Sequence, residues 1–153
     1  MKRAGRTRIA AVLAVGALAA VAGGCGGGGG GGGTLSKADY AKQLTSIANE
    51  VKSLNGIQAG GVTADKIARV RAALNHAADR LSKLKPPSNV KADNKALESS
   101  LRQLASALGP VEKAYKDKNP AEAQGAVASL QSATRKFQNA VNDLNSKGYR
   151  TTG

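Results

Sequence analysis

The chain has 153 residues, a formal net charge of +13, one cysteine and one histidine. This length holds one domain, and a single cysteine excludes an intramolecular disulfide and, with a single histidine, a zinc site of the usual four-ligand kind. Aromatic residues make up 3% of the chain and tryptophan is absent, so the core must consist of Leu, Val, Ile and Ala, which favours closely packed helices over bulky strands.

The N-terminus has the three-part pattern of an export signal. Residues 1–8 include Lys2, Arg3, Arg6 and Arg8, and residues 9–22 are apolar without a break and end in small residues. The apolar run is shorter than the roughly 20 residues that a membrane-spanning helix needs. We therefore predict that residues 1–24 are a signal peptide and not a retained transmembrane anchor.

The segment Ala22-Gly23-Gly24-Cys25 follows this apolar run directly. It resembles the lipobox of bacterial prolipoproteins, although alanine stands at residue 22, where the family most often has leucine. The resemblance implies that the Cys25 thiol receives a diacylglyceryl group, that a peptidase cleaves before Cys25, and that this residue becomes the lipid anchor. Two alternatives stay open. Ala20-Val21-Ala22 also fits ordinary signal-peptidase cleavage, which gives a secreted protein with a free thiol, or the cysteine is an incidental linker residue.

Eight glycines, Gly26 to Gly33, follow the cysteine. We predict that residues 25–35 are the lipidated cysteine and a flexible linker, whose root-mean-square span is roughly 15 to 18 Å. The run can also be a low-complexity expansion of no selected length. It does not have the Lys-Ser/Thr pair that a phosphate-binding loop requires.

Apolar residues then recur at spacings of three and four, which predicts four amphipathic helices. The four stripes are Tyr40 to Leu54, Ile67 to Leu84, Val90 to Tyr115 and Ala123 to Leu144. Short connections between them favour neighbouring antiparallel helices. The predicted fold is all-α, an antiparallel up-down four-helix bundle over residues 36–147, followed by a basic flexible tail over residues 148–153.

Capping residues agree with these stripes. Ser36 with Asp39, Thr63, and Asn119 before Pro120 are typical helix starts. Gly109-Pro110 lies inside the third stripe, whose phase continues past the proline, so we expect one kinked helix and not two separate ones. Acid-before-base pairs four residues apart give independent support for helices; they are Asp65/Arg69, Asp79/Lys83, Glu98/Arg102, Glu112/Lys116 and Asp143/Lys147.

The chain from Cys25 onward keeps a net charge of +9 once the four basic residues of the signal are removed from +13. Its most basic predicted segment is the second helix, which offers a possible contact face for anionic lipid, an anionic wall polymer or an envelope protein. An alternative is that these charges are only a solvated helix face. The residues of the possible face are Lys66, Arg69, Arg71, Arg80, Lys83 and Lys85.

Several classes of function are not expected. His76 is predicted to point outward, and no nucleophile and base pair can be assembled, so we expect no enzyme and no cofactor. Nucleic acid is not an expected partner either, because an exported protein does not meet it and Tyr40, Tyr115 and Phe137 lie on core stripes. Tyr149, in the basic tail, is the exception.

The lipobox, the glycine linker, the opening Leu35-Ser36-Lys37-Ala38-Asp39-Tyr40 and the break from Leu81 to Pro87 together resemble small actinobacterial-type lipoproteins with a helical extracytoplasmic domain. That resemblance implies a cell-membrane location, on the extracytoplasmic face, and no particular activity. We expect a non-enzymatic interaction module of the cell envelope. The alternative is a carrier that binds a small ligand between helices, in a cavity lined by Ala77 and Ala123.

Overall fold

The computed structural model describes residues 33–52 and 61–150. These residues form four α-helices, and no strand occurs among them. The helices are α1 (Lys37–Lys52), α2 (Ala64–Lys83), α3 (Lys91–Lys116) and α4 (Pro120–Ser146), with a short 3-10 turn at Ser88–Val90 before α3. The prediction of an all-α bundle of four helices is confirmed.

Three of the described helices, α1, α2 and α4, begin at the predicted capping residues. The Ser36 hydroxyl accepts a hydrogen bond from the Asp39 amide at 3.1 Å and donates one to the Asp39 carboxylate at 2.7 Å. Thr63 caps α2 by accepting from the amide of Lys66 at 3.3 Å, and the Asn119 side chain accepts from the first amides of α4. Each cap satisfies backbone donors that a helix start leaves without a partner.

Contacts between helices fix an antiparallel order. The Asn94 side chain at the start of α3 donates to the carbonyl oxygen of Leu81 near the end of α2, at 3.2 Å. Lys147, just after α4, lies 2.6 Å from Asp93 at the start of α3. Since each contact joins the start of one helix to the end of another, neighbouring helices run in opposite directions, and α3 lies between α2 and α4 in extensive contact with both.

The core consists mostly of leucine and alanine, as the composition predicts. In α4 the buried stripe is displaced from the predicted one: Ala126, Ala133 and Ala140 are buried, whereas Val127 and Phe137 are half-buried at its edge. Small side chains at the contact line let the backbones of α3 and α4 approach closely. On this face of α4, the alanines are therefore buried at the helix contact and the larger side chains lie at its edge.

Helix α3 continues through Pro110 without interruption, so the prediction of one helix is confirmed. Proline removes the hydrogen bond to the carbonyl of the residue four positions earlier. That residue is Ser106, and both Ser106 and Pro110 are exposed. Water can therefore hydrate the freed carbonyl, which is why a helix interior tolerates the proline here. The kink itself stays a prediction.

The prediction that Tyr149 is exposed in the basic tail is wrong, because Tyr149 is only 2% exposed and belongs to the core. Residues 151–153 of the predicted tail lie outside the described residues. Gly148 adopts a φ of 76°, and the amides of Gly148 and Tyr149 donate to the carbonyls of Asn145 and Leu144 at 2.9 and 3.0 Å. This is the glycine-terminated helix end that returns the next side chain to the helix. The described domain therefore includes Tyr149, beyond the predicted boundary at 147.

Removing this anchor tests the extended boundary. We expect Tyr149→Ala to lower the free energy of unfolding by about 3 kcal/mol, because it deletes a buried aromatic side chain. Tyr149→Phe is expected to cost about 1 kcal/mol, the contribution of its hydrogen bond to Asn89. The measurement is urea unfolding followed by circular dichroism. The exposed neighbour provides the control, since Arg150→Ala should change stability by less than about 0.5 kcal/mol; equal effects at the two positions would contradict a buried Tyr149.

Candidate functional site

The predicted lipid attachment residue, Cys25, lies outside the described residues, as does the predicted signal peptide. The described chain enters the bundle at Leu35, whose amide donates to the carbonyl of Lys85 at 2.7 Å. This bond places the chain's entry beside the end of α2. Within residues 33–52 and 61–150, no helix is both long and apolar enough to cross a membrane.

The six predicted basic residues do not share one face of α2. Arg71 turns toward α3, where it lies 3.2 Å from Glu112. Arg80 turns the opposite way, toward α1, where it lies 2.9 Å from Glu50. Lys66 is bonded to the Gly61 carbonyl at the start of the helix, about 25 Å from Lys83 along the axis.

Arg80 belongs to a cluster that joins α1 to α2. Its guanidinium donates to the Glu50 carboxylate and, at 3.1 Å, to the Ser46 hydroxyl. His76 bonds the other Glu50 oxygen at 2.5 Å while its side chain stays 63% exposed. The outward position of His76 is confirmed, and its bond to Glu50 was not foreseen because the two residues are 26 positions apart. The positive charge of Arg80 is therefore paired with Glu50 inside the bundle and is less accessible to a partner.

Arg71 belongs to a second cluster, around a carboxylate that is nearly buried. The Glu112 side chain is 8% exposed and lies between Arg71 and Lys116, whose ammonium donates to it at 2.7 Å. Together, the hydrogen bond from Lys116 and the charge of Arg71 hold the pKa of Glu112 below its usual value, against the opposing effect of burial. The positive charge of Arg71 thus stabilises the negative charge of the nearly buried Glu112 carboxylate.

Ion pairing within helices was predicted with mixed success. Glu98 with Arg102 and Glu112 with Lys116 are confirmed. The partners of Asp79 and Lys147 were predicted wrongly, because Asp79 pairs with Arg102 of α3 at 2.9 Å and Lys147 pairs with Asp93. Both of these contacts cross between helices, which a pattern within one helix cannot reveal.

The remaining predicted basic residues divide between the two ends of α2. Arg69, in the second turn, is exposed. Lys83 and Lys85 are exposed where α2 ends, next to the entry of the chain at Leu35. Of the six predicted basic residues, Lys83 and Lys85 therefore lie at an end of the bundle where other helices also begin or end.

That end of the bundle is organised around Tyr40, which is 0% exposed. The Tyr40 hydroxyl donates to Asn94 at 2.9 Å, and the ring of Tyr149 contacts the Tyr40 ring edge to face, with centroids 5.5 Å apart. Burial, and then the charge of Asp93, raises the pKa of the Tyr40 hydroxyl. It therefore stays protonated and keeps donating. We call this the Tyr40 end; the opposite end, with the turn before α4, is the Asn119 end.

One groove lies on the outer surface of α3, and a second lies between α3 and α4. Lys95, Glu98 and Arg102 line one, and Gln103, Lys136 and Asp143 contribute to the other. Both are open and lined mainly by exposed polar side chains. Ala77 and Ala123, which the carrier hypothesis places around a cavity, are 0% and 6% exposed and line neither groove.

Among the residues that the structure describes, no three His, Cys, Asp or Glu side chains come together as a possible metal site. Comparison with protein-family models, with curated proteins and with solved structures gives no match.

The two carboxylate clusters make stability depend on pH. The pKa of Glu50 is lowered because hydrogen bonds from His76 and Arg80 outweigh the opposing effect of burial, the largest single influence, and the pKa of Glu112 is lowered as well. Carboxylates with a lowered pKa stabilise the fold above their ordinary pKa of 4.5, and that stabilisation is lost as the pH falls through the folded-state values. We expect the free energy of unfolding to fall below about pH 4.5.

Urea unfolding at a series of pH values measures this effect. Glu50→Gln and Glu112→Gln should each make the acid-side fall shallower, since neither amide can be protonated in this range. Asp143→Asn, at an exposed carboxylate on α4, controls for the loss of one surface charge. Identical acid-side slopes in the wild type and in both glutamine variants would contradict the assignment of the two clusters.

Proposed function

We propose that the protein is a lipoprotein, anchored through Cys25 to the extracytoplasmic face of the cell membrane, whose helical bundle is a non-enzymatic interaction module of the envelope. The observation that carries the proposal is the segment Ala22-Gly23-Gly24-Cys25 at the end of an apolar run preceded by basic residues. Two or more acyl chains on one residue are enough for stable anchoring, because a single chain binds only marginally.

The start of the folded domain supports a tether. The first described contact with the bundle is made by Leu35, and nine residues, eight of them glycine, separate it from Cys25. Treated as a flexible coil, this segment spans roughly 15 to 18 Å. An anchor at Cys25 would hold the start of the bundle, at Leu35, at about that average distance from the lipid headgroups.

The composition of the bundle supports an interaction module over a carrier. The alanines at helix contacts are buried where helices approach closely, and most charged side chains of α3 and α4, Glu112 excepted, are at least partly exposed to solvent. Of the basic residues on α2, two compensate carboxylates of the fold and others stay exposed. A surface of this kind offers charged contacts to a partner in the envelope.

Intact-mass spectrometry of the protein from its membrane fraction tests the anchor. We expect a mature chain that begins at Cys25 and is heavier by two or three acyl groups. Cys25→Ala should carry no acyl mass and be found either uncleaved or released from the membrane, because the lipid has no thiol to join. Gly28→Ala, in the glycine run, is the matched control and should be acylated normally. A mature chain that begins at Gly23 with a free thiol would contradict the proposal and indicate a secreted protein.

A further inference from the structure

We infer that the Tyr40 end of the bundle binds the anionic lipid headgroups of the membrane surface, so that the bundle stands on the membrane with its helices pointing away from it. The inference rests on the proposed anchoring at Cys25. It identifies the partner as lipid and the contact surface as a set of exposed basic residues that come from the ends of all four helices. This surface, the basic end, consists of Lys37, Lys83, Lys85, Lys91, Lys147 and Arg150.

Hydrogen bonds bring these residues to one end. The bond from the Leu35 amide to the Lys85 carbonyl joins the start of α1 to the end of α2. On the other side, Lys147 donates to the carbonyl of Asn89 at 3.2 Å, which joins the end of α4 to the turn before Lys91. The four helix ends are therefore tied pairwise, and each contributes at least one basic side chain.

The two pairs are joined to each other by Tyr149. The Lys37 ammonium lies 5.1 Å from the centroid of the Tyr149 ring, and the Tyr149 hydroxyl donates to Asn89 at 3.0 Å. A Cβ atom built on Gly148 would come within 3.0 Å of the same ammonium, so Lys37 also lies against the backbone that leads to Arg150. The buried tyrosine thus holds the α1 and α4 contributions side by side.

Charge at this end is poorly balanced by acids. The acidic residues there are Asp39, which is bonded to Ser36, and Asp93, which pairs with Lys147. The Asn119 end differs, because Lys113 pairs with Asp117 and Glu122, and Lys116 pairs with Glu112. The basic end therefore carries a larger net positive charge, whichever local contacts its lysines make.

Anchoring would present the basic end to the membrane. The chain enters the bundle at Leu35, within this end. Treated as a flexible coil, the nine residues between Cys25 and Leu35 would span roughly 15 to 18 Å root-mean-square, which is short beside α4, whose 27 residues extend about 40 Å. A basic residue close to an anionic surface strengthens binding roughly fivefold, and the effect fades over about 10 Å at 0.1 M salt. Among the residues that the structure describes, the basic end combines this positive charge with proximity to the proposed anchor.

The test measures how fast an amine-reactive reagent modifies each lysine of the anchored protein, with mass spectrometry as the readout. The mature protein is inserted into the outer leaflet of vesicles of phosphatidylcholine alone, or of phosphatidylcholine and phosphatidylglycerol in equal parts. On the anionic vesicles we expect the labelling of Lys37, Lys85 and Lys147 to slow by about fivefold or more. Labelling of Lys113, Lys116 and Lys136 should not change.

A matched pair of triple variants controls for total charge. Lys83→Gln, Lys91→Gln and Arg150→Gln together should abolish the protection of Lys37, Lys85 and Lys147. Arg69→Gln, Lys118→Gln and Arg135→Gln together remove the same charge from exposed positions elsewhere and should preserve it. Salt at about 1 M, which shortens the Debye length to about 3 Å, should also remove the protection.

Four outcomes would overturn the inference. They are equal labelling on neutral and anionic vesicles, protection that both triple variants keep, protection centred on the Asn119 end, and protection by an anionic wall polymer but not by vesicles. Intact mass, measured on the same sample, separates this inference from the proposed function. Acyl groups with no lysine protection would overturn only the lipid contact, whereas a processed chain without acyl groups would overturn the anchoring on which the contact rests.

Discussion

Tyr40 is fully buried, and its hydrogen bond and ring contact hold the helices together at one end of the bundle. Its hydroxyl reaches Asn94 of α3, and Asn94 in turn donates to the Leu81 carbonyl of α2. Its ring contacts Tyr149, which follows α4. One side chain on α1 therefore connects all four helices, and every polar atom of this chain of contacts has a partner, as a buried polar group requires.

This constraint also determines where the surface charge lies. Because α1 enters beside the end of α2 and the segment after α4 returns against α1, basic residues far apart in sequence come together at the Tyr40 end. The same packing places Arg71 in an ion pair with Glu112 and Arg80 in an ion pair with Glu50. The distribution of exposed basic residues is thus a consequence of helix packing and not of the composition of any one helix.

The sequence predicted the helices well because their signals are local. The caps at Ser36, Thr63 and Asn119 and the continuation through Pro110 depend on residues within one turn of each other. The burial of Tyr149 could have been predicted, since a glycine after the last helical turn followed by an aromatic residue is typical of a helix end that folds back. The displaced stripe of α4 could not, because it depends on how closely α3 approaches.

The basic end was harder to predict from the sequence, because it also depends on how the helices pack. Counting charges along α2 identifies its six basic residues, but their partners belong to α1 and α3. Glu50 is 30 residues from Arg80 in sequence, and Asp93 is 54 residues from Lys147. Only the packed bundle shows that Lys83 and Lys85 lie with Lys37, Lys91 and Arg150, whereas Arg71 and Arg80 lie on opposite flanks of α2.

Paramagnetic broadening measures the orientation of the anchored bundle on the membrane directly. In this experiment, NMR spectra of the lipidated protein are recorded in anionic bilayer discs that contain spin-labelled headgroups. If the Tyr40 end faces the membrane, broadening is strongest at the amides of Lys37, Lys91 and Arg150 and weakest at Asp117 and Lys118, about 40 Å away along α4. Broadening that is uniform along the bundle, or strongest around Arg69, would contradict this orientation.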